Sequence, residues 1–293
     1  MHSIMTRGER LFQIAAIGFL TVLSAVMLYP FVHMIAVSLD TPVHAIRPGL
    51  HLYPLEPTLE AYRQAFRYDG IYYGFTNTIF RTVVGTLLAL CIMTMGAYPL
   101  SRKYLPHRYP LMMVIVFTMF FSGGLIPSYL LVKSLGLYDS VWVYIIPSLV
   151  NTFSFIILRN FFITIPVELE ESAKLDGAND IRILYSLVVP LSKPILATVA
   201  LWTAVYHWNA WFDGLIYIQD QKKIVLQILL RRLVVENLDQ ELQMAMQQAN
   251  TQYVVPETMK AAVLMISTLP ILIVYPFLQK YFVKGIIVGS LKG

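Results

Sequence analysis

Between Pro166 and Pro194 the chain collects carboxylates and helix breakers that its neighbouring stretches lack. Pro166 suits the first position of a helix, where its missing N–H costs nothing. Glu168, Glu170 and Glu171 then fall in the first turns, where the helix dipole favours negative charge. Gly177 supplies a stop or sharp bend, reinforced by Asn179-Asp180. A second helix is expected from near Ile181, with Pro190 and Pro194 leading into the next apolar block. These residues suit docking, not bond-making. Ala173 and Gly177, four apart, share a face nearly bare of side chains that a partner can approach closely. Glu171 offers an acceptor for basic or backbone donors. The plainer reading of the same residues is an amphipathic loop helix capped by a glycine.

The elements that must position this segment are apolar. Residues of the AVILMFWYC set make up 57% of the 293 residues, charged residues 13%, and the mean hydropathy is +0.63. A soluble domain carries about 25% charged residues, so this surface is not designed to face water all round. Six apolar blocks approach or exceed the roughly 20 residues that cross hydrocarbon: Phe12–Leu39, Phe75–Leu100, Leu111–Val132, Val141–Phe162, Pro194–Phe212 and Ala261–Phe282. The first is too long for a signal peptide and is expected to be a retained helix. Pro99, Pro127, Pro147, Pro270 and Pro276 are expected to interrupt or end spans. Two organisational parts follow, residues 1–74 (first span and its connection) and 75–293 (five-span core). The segment 213–260 is the main extramembrane piece, with a surface helix expected at Val234–Asn250. Lys and Arg near the block ends modestly favour both termini in the cytoplasm. The net charge of +5 is read as headgroup contact rather than nucleic-acid binding.

Several chemistries are missing from the sequence. There is no G-x-x-x-x-G-K-[ST] phosphate loop, G-x-S-x-G, H-E-x-x-H or paired-cysteine motif. Cys91 is the single cysteine and has no Cys/His metal-ligand spacing around it. The chain is expected to catalyse nothing itself and to bind no metal. An ion-coupled secondary transporter is the alternative class, but the six blocks hold no Asp or Glu between their ends for a relay.

Glu171-Ser172-Ala173, three residues, Gly177, nine residues and Leu187-Val188-Val189-Pro190 resemble the signature E-A-A-x3-G-x9-I-x-L-P of bacterial ABC-importer permeases. Ser172, Leu187 and Val189 are mild departures. Leu158-Arg159-Asn160-Phe161-Phe162, Trp208-Asn209 and Tyr281-Phe282-Val283-Lys284-Gly285 are similar to the carbohydrate branch, in particular its maltose-permease-type shorter subunit. The resemblance implies an all-α membrane protein of type I importer fold, with six transmembrane helices and a cytoplasmic coupling helix at about 166–179. It implies that Glu170, Glu171, Ser172, Ala173, Asp176, Gly177 and Pro190 couple to an ATPase, and that a rigid bend passes motion to the fifth span. The partners it implies are a second, different permease chain, two ATPases that hold ATP and Mg, and an extracytoplasmic sugar-binding protein. The terminal residues 285–293 are expected to extend toward the ATPases.

Five residues toward the opposite side are candidates for the substrate pathway. Asn77 and Arg81 lie one turn apart, on one helix face. Arg81 either snorkels or forms a structural pair, or it lines a polar cavity suited to an anionic cargo such as a uronide. Eighteen residues beyond Pro190, about 27 Å along a helix, come Trp208 and Trp211, with Asn209 between them. These rings form an interfacial belt or stack on a sugar, with Asn209 and His207 as hydrogen-bonding groups.

Overall fold

The computed structural model describes residues 6–235 and 256–290, and the regular elements among them are all helical. Helix α1 (Arg7–Ser38) is followed by the single turn α2 (Pro42–Ala45) and by α3 (Glu60–Arg67). Next come α4 (Asp69–Ser101), α5 (Arg108–Phe120) and α6 (Leu125–Ser134). Two 3-10 turns, Val141–Tyr144 and Ile146–Ser148, lead into α7 (Thr152–Ile163). The short helices α8 (Val167–Leu175) and α9 (Asp180–Ile183) precede a π-helical turn at Leu184–Val188 and α10 (Val189–Leu191). Then follow α11 (Lys193–Asn209), α12 (Phe212–Tyr217), a 3-10 turn at Gln221–Lys223, α13 (Leu226–Val235) and α14 (Pro256–Ser290). The expected surface helix at Val234–Asn250 lies almost wholly outside the described residues, as do residues 291–293.

Two compact units emerge, Met1–Tyr68 with Arg232–Thr268 and Asp69–Arg231 with Leu269–Gly293. In the first, Thr6 and Glu9 form a reciprocal capping box that starts α1. Only Ala36, Val37 and Ser38 of that helix are buried, so its apolar length is left for lipid or another chain. Asp40 ends the run and holds the following loop. Its carboxylate accepts the backbone N–H groups of Thr41, Leu55 and Glu56 at 2.8–3.0 Å. Burial alone would push this carboxyl up, but the three N–H donors outweigh it and hold the pKa below the usual Asp value.

The second unit is built around α4, which packs chiefly against α7 and α11. Met93, Ala97, Phe155, Leu158, Phe162 and Val188 are among its fully buried apolar residues. Small residues on α4 let the helices meet closely. At Gly85 an added Cβ would sit 2.6 Å from Nε2 of the fully buried His207 on α11. An imidazole has no flexible far end to move aside.

Three of the six expected spans are not single straight helices. Among the described residues, three helices are long and apolar enough to cross a bilayer alone, within Arg7–Ser38, Asp69–Ser101 and Glu257–Val274, and three further crossings need a bent pair each. The block Leu111–Val132 breaks into α5 and α6 at 114°, because Phe121 is extended and Gly124 takes φ +87°. The block Val141–Phe162 bends by 48° before α7, where Pro147 sits in a 3-10 turn and Asn151 caps the new helix through Ser154 N–H. At the fifth crossing the 84° bend falls at Ser192, just before the block Pro194–Phe212, which is itself α11 as far as Asn209. Pro99, Pro127 and Pro147 thus mark ends or breaks, as expected. Pro270 and Pro276 do not: α14 runs through both, since a proline in a long apolar helix removes one hydrogen bond that neighbouring turns can absorb. Gly85→Ala is expected to cost about 1–3 kcal/mol through overpacking against His207. A lowered thermal midpoint in detergent, restored in part by a smaller residue at 207, checks it.

Candidate functional site

The polar segment folds much as its residue types dictate. Pro166 lies at the N-cap of α8, with Glu168 and Glu170 in the first turn. The helix ends in a Schellman motif, in which Ala178 N–H reaches Ala173 O at 2.9 Å and Gly177 N–H reaches Lys174 O at 3.0 Å. Gly177 has φ +81°, which an L side chain adopts only at a cost. It therefore stands just past the helix rather than on a bare face of it. Asn179 caps α9 by accepting Arg182 N–H at 2.8 Å. Glu171, Ser172, Asp176 and Gly177 are exposed, Ala173 is half-buried against the bundle, and Pro190 lies apart on α10. Leu175, absent from the sequence candidates, projects with 90% of its surface bare. Lys174 bonds Asp180 at 3.2 Å, which raises its pKa and keeps it charged.

Adjacent glutamates on α8 face opposite ways. Glu170 is 2% exposed and pairs with Arg102, itself 5% exposed, just beyond α4. The hydroxyl of Tyr98 on α4 donates to Glu170 Oε2 at 3.3 Å, and the Arg102 guanidinium lies 5.1 Å from the Tyr98 ring centre. Arg102 Nη1 also donates to Phe162 O at the end of α7, at 2.7 Å. In return, Arg159 Nε of α7 donates to Leu100 O at the end of α4, at 3.2 Å. Each helix satisfies its last carbonyls with an arginine from the other. Breaking such a buried pair costs about 3–5 kcal/mol, because one charge is stranded.

A second cluster closes the other part of α4. Arg81 is fully buried and forks onto Asp213, with Nη2–Oδ2 at 2.6 Å and Nη1–Oδ1 at 3.2 Å. It also donates to Ala210 O at 2.9 Å and lies 4.6 Å from the centre of the Tyr144 ring. Of the readings open for Arg81, the structure shows the structural pair. Asn77 Nδ2 donates to Lys222 O and Ile224 O, at 2.8 and 2.9 Å. Thr78 Oγ1 accepts Leu226 N–H at 2.9 Å, and Tyr144 Oη donates to Lys223 O at 2.9 Å. Asp139 holds the same strip from its far edge. It accepts Gln219 and Asp220 N–H at 3.1 Å each and pairs with Lys223 at 3.3 Å. Those bonds, that to Asp220 foremost, hold the Asp139 pKa below its usual value.

The aromatic candidates separate. Trp208 is buried, packs edge-on to Phe75 at 6.1 Å, and faces an apolar cavity of about 230 Å³ beside Val83 and Leu201. Asn209 turns back to Val205 O at 2.9 Å, and Arg231 covers the Trp211 ring at 4.5 Å. A larger cavity, about 460 Å³, lies on a different face of α11. Trp202, Tyr206 and Phe153 supply rings, and Ser148, Asn151, Ser154 and Thr203 supply hydroxyls and an amide. Among the described residues, its lining carries no charged side chain. Sequence reasoning missed it, although Trp202 and Tyr206 stand one helical turn apart, a signal that was available.

The match to a known family covers this same bundle. Residues 70–288 match the family described as "Binding-protein-dependent transport system inner membrane component". The chain belongs to that family. Among similar proteins, the polygalacturonan/rhamnogalacturonan transport system permease protein YtcP of Bacillus subtilis (strain 168) is 44% identical over 97% of this chain and 99% of its own. Protein LplC of the same organism is 43% identical over 100% and 98%. A solved structure of a bacterial ABC transporter involved in import of the acidic polysaccharide alginate superposes with a TM-score of 0.89 at 33% identity, covering 96% of this chain and 99% of that one. This transport component is an all-helical, type I importer permease, and nothing favours the ion-coupled alternative.

Two outcomes test the clusters of this permease. Arg81→Ala is expected to lose about 3–5 kcal/mol by stranding Asp213, read from unfolding in detergent, and Arg81→Lys to recover only part because it lacks the fork. The Asp139 clamp, with its lowered pKa, stabilises fully above the ordinary Asp value and is lost only as pH falls through the lower folded value. Pepsin cleavage around residues 219–226 should rise below about pH 4, and at higher pH in Asp139→Asn.

Proposed function

We propose that the chain is one of two permease subunits of an ATP-driven, binding-protein-dependent importer of oligosaccharides, the cargo being a uronide-containing, pectin-type chain. The observation that carries the reading is α8. A short helix presents Glu171, Ser172, Asp176 and Leu175 outward while Glu170 ties it to the transmembrane bundle. That is the form of a docking element, and the sequence has no phosphate loop of its own. ATP and its Mg therefore belong to two separate ATPase chains, against which α8 seats on the cytoplasmic side. Both termini then lie in the cytoplasm. A different permease chain completes the pathway, and an extracytoplasmic binding protein delivers cargo to the opposite side. The pectic and alginate transport named for the relatives supports the cargo class.

The 460 Å³ cavity serves as this chain's contribution to the sugar pathway. Rings at Trp202 and Tyr206 can stack on the C–H faces of pyranoses, and the short polar groups can exchange hydrogen bonds with hydroxyls. Because Arg81 is already paired and the lining is neutral, this chain holds a uronide by its ring faces rather than by its carboxylate.

Affinity purification of the tagged chain from mild detergent should retain a second permease and an ATPase carrying a phosphate loop. A chain that purifies only with itself would remove the importer reading. Gly177→Trp, membrane-inserted at normal levels, should lower uptake at least about ten-fold, whereas unchanged uptake would refute the docking role of this turn. Trp202→Ala should reduce oligogalacturonide uptake by roughly ten-fold while leaving ATPase retention intact.

A further inference from the structure

On the reading that α8 is the ATPase-facing helix, the next question is which membrane helix receives its motion. The bend between the two short helices and the fifth span is the obvious route from the sequence, since α8 leads directly toward α11. The structure places a weak joint there. Between α8 and α11 lie the four-residue α9, a π-helical turn at Leu184–Val188, the three-residue α10 and an 84° bend at Ser192. π-turns and breaks of this kind are where helices yield.

The contact with α4 is different in kind. Glu170 is held by Arg102 and Tyr98, and Arg102 reaches Phe162 O in the same cluster, so α8, α4 and α7 share one buried junction. Helix α4 then runs unbroken for 33 residues, about 50 Å. Arg81 and Arg102 are 21 positions apart on it and just past it, about 31 Å, close to the thickness of the hydrocarbon core. At the Arg81 level the same helix grips the strip 210–226 through Arg81, Asn77 and Thr78.

We propose that α4 is the strut of the transport cycle, with Arg102 and Glu170 as positioning residues that clamp α8 to it. Motion of α8 on the ATPase moves α4 as a rod, and α4 carries the strip 210–226 on the opposite side of the membrane. The joint at Leu184–Ser192 leaves the direct path from α8 to α11 compliant, so α11, with Trp202 and Tyr206 on the cavity wall, moves with the α4 it packs against. One helix thus connects the ATPase side to the side where the binding protein delivers cargo.

The test uses the complete importer in proteoliposomes, with Cys91→Ser as background and a bimane label on Lys222→Cys, an exposed position of the strip. Mg-ATP with vanadate traps the ATPase dimer, and the label reports whether the strip responds. The unaltered importer should show a vanadate-dependent emission shift. Arg102→Ala and Glu170→Ala should keep ATP hydrolysis within about two-fold yet lose the shift and roughly ten-fold of uptake. The exchange Arg102→Glu/Glu170→Arg should recover most of both. A full shift in either single variant overturns the strut. If Arg102→Ala does not assemble, Arg102→Lys retains the charge but not the fork to Phe162 O, and a full shift there overturns it equally. Loss of hydrolysis and shift in the same proportion in every variant would also overturn it, since that marks a merely structural pair. An unaltered chain that retains no ATPase refutes the importer reading instead, before any variant is compared.

Discussion

A guanidinium cannot remain alone in a low-dielectric interior, and that constraint organises the main bundle. Arg81 on α4 and Arg102 just past its end are both nearly or fully buried, and each has to be met by a carboxylate from a distant part of the chain. Arg81 draws in Asp213 and with it the turn after α11. Arg102 draws in Glu170 and with it the whole of α8. Both arginines also donate to backbone carbonyls at helix ends, Ala210 O and Phe162 O, which would otherwise be unsatisfied. The charges therefore act as fasteners. Apolar packing holds helices together along their length, but it does not specify which helix end meets which loop.

The two clusters assign different work to neighbouring residues. On α8, Glu170 is committed inward and Glu171 is exposed, so one short helix is attached on one side and open on the other. On α11, Trp208 is committed to packing against Phe75, while Trp202 and Tyr206 line a neutral, ring-bearing cavity. A permease needs both properties at once, firm transmission at its edges and an unobstructed wall within. The breaks at Asn151 and Ser192 fit the same requirement, because irregular backbone in a membrane protein is sustained where it lines a cavity, as at Asn151, or is buried in protein, as at Ser192.

The sequence by itself determined the class, the family and the local form of the short helix after Pro166. Charge depletion and block length imply membrane crossing through bulk transfer energetics, which do not depend on tertiary detail. The carboxylates of the first turn, the glycine at φ +81° and the Asn179 cap are local, so the turns from Pro166 to Asp180 could be read from residue types, whereas the π-helical turn and the bend before Pro194 could not. What only the tertiary structure decided concerns partners far apart in the chain. Arg81 and Asp213 are 132 positions apart, and nothing local distinguishes a paired arginine from one that awaits an anionic cargo. The inward turn of Glu170 and the outward turn of Glu171 follow from where α4 ends, not from either residue's chemistry. The bends of 114°, 48° and 84° were hidden because hydropathy sums over side chains, whereas a bend is a backbone event that leaves the sum unchanged. The cavity wall was hidden as well: which face of α11 meets the cavity is set by how α4 and the Pro147–Ser154 stretch pack around it.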